Sequence, residues 1–407
     1  MAWKETRVMD ERMGFIVDWQ RGEETVSELC RRYGVSRKTG YKMIERYAAE
    51  GVTGLADRSR APHRHPNEVT AEVEAAIVAL RRRYRTWGPK KILPKLEGMH
   101  PAVRWPAEST IGEVLKRHGL SVARARRHKM APATIPLSAC AASNDVWGID
   151  FKGWFLTGDG ERCEPLSLSD LAARYVLRLQ AVERRDCETV WPILDAAFRE
   201  FGAPRTMRSD NGPPFASTAA GGLSPLSVRL IKAGVVPERI DPGKPQQNGR
   251  HERLHLTLKQ DTASPPAASL RAQQRRFDAF RRIFNEERPH EALDQTTPAS
   301  HYRPSRGSYT GRLREPEYPG DRLVRRVRHH GEIKWCGELV YISEALVGEP
   351  IGLEQIGDDR WLLRYGPIPL GHLDAAGKFE RLKAGACPRL EAQPQPPGGE
   401  SVTHVPG

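Results

Sequence analysis

The sequence predicts a multidomain chain: all-α modules at the N-terminus, an α/β core with a mixed five-stranded sheet and flanking helices, and a small C-terminal β-barrel. Three observations carry this. At 407 residues the chain exceeds one ordinary domain. Apolar residues recur at helical spacing up to residue 121 and alternate from residue 144 onward. Hydrophobic residues make up only 39%, beside 36 glycines and 32 prolines, which favours several modest cores joined by linkers.

The net charge of +13 points to a polyanionic partner, most commonly nucleic acid. A basic membrane-binding protein is the competing reading. No apolar run approaches the roughly 20 residues a membrane span needs. The stretch Met1 to Gln20 is charged throughout, unlike a signal peptide. Six cysteines (Cys30, Cys140, Cys163, Cys187, Cys336 and Cys387) are scattered, with no C-x-x-C pair. That argues against a cysteine-built zinc site and against a disulfide framework, and suits a reducing cytoplasm.

Residues 1–50 read as a helix-turn-helix. Met9, Met13, Ile16 and Val17 share helical spacing in a first helix. A short helix from Thr25 ends at Gly34, which suits a left-handed cap. Ser36 can cap the next helix, which carries Arg37, Lys38, Tyr41, Lys42 and Arg46 as candidate DNA contacts in a major groove. The alternative is a helical hairpin with a solvated basic face. Gly40 inside that helix lowers its intrinsic stability by roughly 1 kcal/mol. Residues 51–67, rich in Arg, His and Pro, form a basic linker that either tracks a minor groove or only spaces the modules.

Residues 68–121 form a second helix-turn-helix-like module. Thr70 caps a helix with Val73, Ile77 and Leu80 on one face. Another helix begins near Trp87 with Lys90 and Lys91, and a third runs from a Ser109 cap to Gly119. Residues 122–143 are a basic linker with Arg124, Arg126 and Arg127 as further candidate DNA contacts.

The core spans 144–305. Val146 to Leu156 alternates, placing Trp147, Ile149, Phe151 and Phe155 on one face and Asp150 on the other. Trp147 and Trp154 read as core residues rather than base-stacking platforms. Strands at 167–170 and 175–182 follow, then a helix from Asp186 to Phe201 closed by Gly202. A short strand from Arg205 runs into Ser-Asp210-Asn-Gly. Next come a helix over 223–233, a strand over 235–240, and helices over 246–262 and 270–287. Three antiparallel strands followed by alternating helices and strands suggest a ribonuclease-H-like core. Residues 306–321 read as a linker, 322–383 as the small β-barrel with Gly-containing turns, and 384–407 as a disordered Pro/Gly-rich tail.

Three stretches carry chemistry: Trp147-Gly-Ile-Asp150-Phe, Arg208-Ser-Asp210-Asn-Gly, and Pro242-Gly-Lys-Pro-Gln-Gln-Asn248-Gly-Arg-His-Glu252-Arg-Leu-His255-Leu-Thr-Leu-Lys259. A mid-strand acid among large apolar residues needs a cation or a metal as partner. The order strand-Asp, Ser-Asp-Asn-Gly, then Gln-Asn-Gly-x-x-Glu resembles the integrase core of DDE insertion-sequence transposases, relatives of retroviral integrases. The N-terminal helix-turn-helix and Thr297-Pro-Ala-Ser-His-Tyr-Arg-Pro extend the resemblance over most of the chain. It implies that Asp150, Asp210 and Glu252 are the catalytic, metal-binding carboxylates. Forty-one residues separate Asp210 from Glu252, more than in many family members. The surplus fits in the loop Ala216 to Gly222; a shorter spacing would land on Gln246, which has no carboxylate. Glu238 and Asp241 are rivals for the third acid. Glu252 is preferred because it follows the Asn-Gly pair on a helix.

Phosphodiester cleavage needs an activated water or 3′-hydroxyl and a stabilised leaving oxygen, and two Mg²⁺ ions about 3.5–4 Å apart serve both. Mg²⁺ takes oxygen ligands, so three acids suffice, with Mn²⁺ able to substitute. Glu252, His255 and Lys259 are spaced to share a helix face. Asn248, Arg253 and Lys259 are candidate DNA contacts, with a solvated basic helix as the alternative. His251 and His255 are weaker metal-ligand candidates, lacking cysteine partners. Asn211-Gly212 reads as a tight turn that also orients substrate or water.

The function expected is a DNA transposase. It binds the terminal inverted repeats of its element, cleaves 3′ ends and joins them to target DNA. It assembles on double-stranded DNA as a dimer or larger oligomer, in a bacterial cytoplasm near the nucleoid. A catalytically silent DNA-binding regulator and a nuclease that cuts without joining are the rivals.

Overall fold

The computed structural model describes residues 8–58, 69–121, 137–241, 247, 249–305 and 309–382. Arg124, Arg126, Arg127, Asn248 and the tail from residue 384 lie outside them. The chain divides into two compact units, residues 1–69 and 70–407.

The first unit holds α1 (Val8–Arg21), α2 (Val26–Arg32), α3 (Arg37–Glu50) and a 3₁₀ turn over Gly51–Leu55. Thr25 and Glu28 form a reciprocal capping box at the start of α2. Gly34, at φ 63°, turns the chain beyond it, and the Ser36 side chain accepts from Thr39 N to start α3. Phe15, Ile16, Leu29, Cys30 and Leu55 make the core. The face expected of α1 is therefore rotated: Phe15 joins Ile16 inside, while Met9 and Val17 stay exposed. Gly40 explains the rotation. A Cβ there would stand 2.4 Å from Cys30 Sγ and 3.1 Å from the Phe15 ring, so α3 crosses α1 and α2 at a point only glycine permits.

The second unit begins with α4 (Ala71–Arg83), α5 (Pro89–Met99) and α6 (Glu108–Arg117). Thr70 caps α4 as expected, but α6 starts one residue before Ser109, with Ala107 at the cap and no side-chain bond. Ile77, Trp87, Ile92, Leu96, Ile111 and Val114 fill the bundle, where the Tyr84 and Trp87 rings stack 4.0 Å apart.

The core follows: β1 (Val146–Phe151), β2 (Phe155–Leu156), β3 (Arg162–Asp170), β4 (Val176–Val182), α7 (Cys187–Phe201), β5 (Thr206–Ser209), α8 (Pro225–Lys232), β6 (Val236–Arg239), α9 (Gly249–Thr262), α10 (Leu270–Arg282) and α11 (Pro298–His301). Strands run in the order β4-β3-β1-β5-β6, with the short β2 on β3. β1 and β4 lie antiparallel to β3, whereas β1, β5 and β6 are mutually parallel. This is a mixed sheet with helices on both faces. Trp147, Ile149 and Leu168 pack with Leu194 and Phe198 of α7 on one face. Val176 and Leu179 pack with Leu254, Leu258, Phe277 and Phe280 of α9 and α10 on the other. Phe155 belongs to this second face, not with Trp147, because the chain bends at Gly153 (φ 91°) before β2. Trp154 is 57% exposed beneath Arg162 and is not a core residue.

The C-terminal strands are β7 (Leu323–Arg326), β8 (Glu332–Trp335), β9 (Glu338–Tyr341), β10 (Pro350–Gly357), β11 (Arg360–Tyr365), β12 (Ile368–Asp374) and β13 (Phe379–Arg381). They form an open antiparallel sheet, β13-β12-β11-β10-β7, and a separate β8-β9 hairpin, so the expected barrel is not closed. The physical reason is the location of the apolar face. Ile351, Leu363 and Leu370 of the sheet and Ile333 of the hairpin pack together with Ala220, Leu223 and Val228 of the core. The segment read as a linker is also docked: Tyr309 donates to Asp195 at 2.6 Å, and Arg314 N donates to Lys232 O at 2.8 Å.

Candidate functional site

The alternation along β1 sends Trp147 and Ile149 toward α7 and leaves Gly148 and Asp150 for the opposite face. Asp150 pairs with Ser167 across β3, and the Ser167 hydroxyl donates to its carbonyl at 3.2 Å. The Asp150 side chain is 15% exposed. The parallel register of β1 on β5 pairs Val146 with Thr206 and Gly148 with Arg208. The pairing ends there, two residues before Asp150 on β1 and two before Asp210, which follows the last residue of β5. The Asp210 carboxylate accepts from Gly212 N at 3.1 Å, and Asn211 donates to Ile240 O at 2.7 Å. The Asn-Gly pair is thus a turn pinned to the end of β6, as expected for one of its two readings.

The third acid separates by its partners. Glu238 accepts from Arg208 Nε at 2.7 Å and from Ser138 N at 2.8 Å, a pair buried beside β5 and β6. Asp241 accepts from Gln247 Nε2 at 2.9 Å. Glu252, in the first turn of α9, is exposed and has no hydrogen bond or ion pair among the described residues. Between Asp210 and Glu252, Ala220–Gly222 forms a 3₁₀ turn whose Ala220 is buried against the C-terminal sheet.

The inner face of α9 differs from expectation. His251, Leu254, His255 and Leu258 are all buried, so His255 does not share the exposed face of Glu252 and Lys259. Gly148 makes room for this: a Cβ there would stand 2.2 Å from His251 Nε2. Ser167 Oγ lies 2.8 Å from His255 Nε2 and 3.3 Å from His251 Nδ1, and Ser169 Oγ lies 3.1 Å from His251 Nε2. His255 Nδ1 stands 3.8 Å from Asp150 Oδ2. Burial pushes the His251 imidazole down to about 4. Burial, followed by the neighbouring His251 and Lys152, holds His255 well below the usual histidine value. Among the described residues, Asp150, His251 and His255 are the group whose ligand atoms all lie within 4.8 Å of one another; Asp210 and Glu252 are not in it. Sequence reasoning did not place both histidines in the interior. The four-residue spacing was visible, but the glycine opening opposite them was not.

Of the expected DNA contacts, Arg37, Lys38, Tyr41 and Lys42 are exposed on α3, and Arg46 is half-buried. Arg253 and Lys259 are exposed on α9. Lys90 instead pairs with Glu291 at 3.0 Å, and Lys91 donates to Pro289 O. Both tie α5 to the segment after α10, where Tyr84 also donates to Glu287. No helix among the described residues is long and apolar enough to cross a membrane.

Comparison with known proteins adds family information. A profile described as an integrase core domain matches residues 233–298. Profiles described as a helix-turn-helix domain and a homeodomain-like domain match 11–63 and 39–115. An uncharacterized 31.7 kDa protein of insertion element IS407 from Burkholderia multivorans is 29% identical over 58% of this chain and 81% of its own length. An uncharacterized 39.2 kDa protein of insertion element IS476 from Xanthomonas euvesicatoria is 26% identical over 69% of this chain and 79% of its own. Among solved structures, the HTLV-2 integrase catalytic core domain in complex with magnesium matches at TM-score 0.31 and 16% identity, covering 40% of this chain and 98% of that one. A simian T-cell lymphotropic virus intasome in complex with PP2A regulatory subunit B56 gamma matches at TM-score 0.37 and 16% identity, covering 77% of this chain and 100% of that one.

Proposed function

We propose that the chain is a transposase of the insertion-sequence type, with helix-turn-helix domains ahead of an integrase core, and that it cuts and joins DNA ends. The reading is a ribonuclease-H-like catalytic core with Asp150, Asp210 and Glu252 as its acids. The observation that supports it is the parallel pairing of β1 with β5, which joins Gly148 to Arg208 two residues before each aspartate, beside a helix whose Glu252 has no hydrogen bond or ion pair among the described residues.

The donor set fits Mg²⁺. All three groups are carboxylates, none is fully buried, and hard oxygen ligands that leave room for water are what this ion requires. When bound, two such ions supply an activated nucleophile and charge stabilisation at the leaving oxygen. The remaining tasks fall to the chain. Arg37, Lys38, Tyr41 and Lys42 on α3 engage the terminal inverted repeat. Arg253 and Lys259 on α9 hold backbone phosphates beside the acids. Two ends must be cut and joined together, so assembly on DNA as a dimer or larger oligomer belongs to this reading.

A catalytically silent DNA-binding regulator is the second reading. The observation that favours it is that Asp210 and Glu252 do not draw into one close group with Asp150. A labelled duplex carrying the element's end, incubated with Mg²⁺ and full-length protein, separates the two. Nicked 3′ ends and joined products are expected; binding without cutting, with Mn²⁺ also inactive, would leave the regulator.

A further inference from the structure

The buried side of α9 carries a constellation that the three-carboxylate reading does not use. His251 and His255 are one helical turn apart, so both rings leave the helix on the same side. They meet Asp150 there, with one ligand atom from each residue within 4.8 Å of the others. The 3.8 Å between His255 Nδ1 and Asp150 Oδ2 is too long for a hydrogen bond. Two atoms bound at about 2.0–2.2 Å to one tetrahedral ion lie roughly 3.4 Å apart, so a shift of a few tenths of an ångström would seat a cation between this pair, with the His251 ligand atom within 4.8 Å of both to close in as the third.

The surroundings suit a metal as well. Ser167 sits on His255 Nε2 at 2.8 Å, and Ser169 on His251 Nε2 at 3.1 Å. At His255 the hydroxyl on Nε2 leaves Nδ1 for a cation, which is the usual outer support of a metal-bound histidine; at His251 the Ser167 hydroxyl also lies 3.3 Å from Nδ1, so a cation there would displace that contact. Two imidazoles and one carboxylate match Zn²⁺ and not Mg²⁺, which takes oxygen donors. Gly148 is what lets the first of the two rings reach the sheet.

We propose that Asp150, His251 and His255 form a zinc site on the inner face of α9, with three protein ligands and an open fourth position. Zinc bound there withdraws Asp150 from Asp210 and Glu252 and so inhibits cutting, a role that rests on the function proposed above. The binding site itself does not depend on that function.

The test uses metal-free, full-length protein titrated with Co²⁺, followed by visible absorption and then by displacement with Zn²⁺. One equivalent should bind with the bands of a low-coordinate nitrogen-containing site. His255→Gln should weaken binding by more than about 10-fold, and Ser169→Ala by about 10-fold. Asp210→Asn should bind as the wild type does. Should His255→Gln fail to fold, Asp150→Asn carries the same comparison. Wild-type affinity in His255→Gln would overturn the proposal. So would an equal loss in Asp210→Asn, which would place the ion among the carboxylates. A protein that binds Co²⁺ as described, yet with that site empty and Mg²⁺ supplied cuts no DNA, defeats the proposed function and leaves the zinc site standing.

Discussion

Single residues decide how closely the elements of this chain approach one another. Gly148 is the clearest case, since an added Cβ would stand 2.2 Å from His251 Nε2 and 2.9 Å from Leu171. Overfilling a packed interior typically costs about 1–3 kcal/mol. Gly148→Ala should therefore lower the melting temperature and push α9, with Glu252, off the sheet, and His251→Ala in the same chain should recover part of the loss. An unchanged melting curve would show that the opening is not needed. His290 makes a different prediction. Burial, and then the charges of Lys91, Arg288 and Arg174, push it down to about 3 from its ordinary 6.5. The folded chain keeps this imidazole neutral where the unfolded chain would protonate it. Its contribution to stability is thus complete above about pH 6.5. It is lost as pH falls toward about 3, by up to about 1.4 kcal/mol per pH unit. Melting temperatures recorded across that range should fall less steeply for His290→Gln than for the wild type; parallel slopes would refute the assignment.

At the scale of elements, what could be read in advance was what local chemistry decides. Ser36 and Thr70 cap the helices expected to follow them, and Thr25 and Asp186, read as the first residues of theirs, prove to be caps too, because a short polar side chain beside unpaired backbone N–H groups has one favourable use. Alternation found β1, and Gly202 closed α7. What escaped notice depends on partners distant in sequence. Periodicity shows that α9 has a buried face, but only the gap over Gly148 shows that His251 and His255 occupy it. Among the acids, Glu238 stood as a rival to the preferred Glu252, and its pairing with Arg208 is visible only in the structure. The closed barrel failed for a similar reason: the apolar face of the C-terminal sheet is satisfied by the core's own Ala220, Leu223 and Val228. This shared interior gives a prediction. Leu223 is 2% exposed, and Leu223→Ala should destabilise by about 2–5 kcal/mol, as seen by denaturant unfolding. A change under about 0.5 kcal/mol would mean that the C-terminal sheet and the core do not depend on each other.

For the whole molecule, the excess positive charge and the helix-turn-helix match join into one account of DNA binding. Lys42 is exposed on α3, so Lys42→Ala should weaken binding to every duplex alike and reduce the slope of log affinity against log salt by about one. An unaltered slope would take Lys42 out of the interface. On the proposed function, the three acids then decide whether binding leads to chemistry. Asp210 is the informative one to change, because it lies at the end of β5, outside the Asp150–His251–His255 group, and Asp210→Asn keeps its shape. The decisive measurement compares wild type and Asp210→Asn on a labelled element-end duplex with Mg²⁺. The account predicts equal binding by both proteins, with 3′ nicking and joined products from the wild type alone. Equal binding with no cutting by either, or cutting that survives Asp210→Asn, would contradict it.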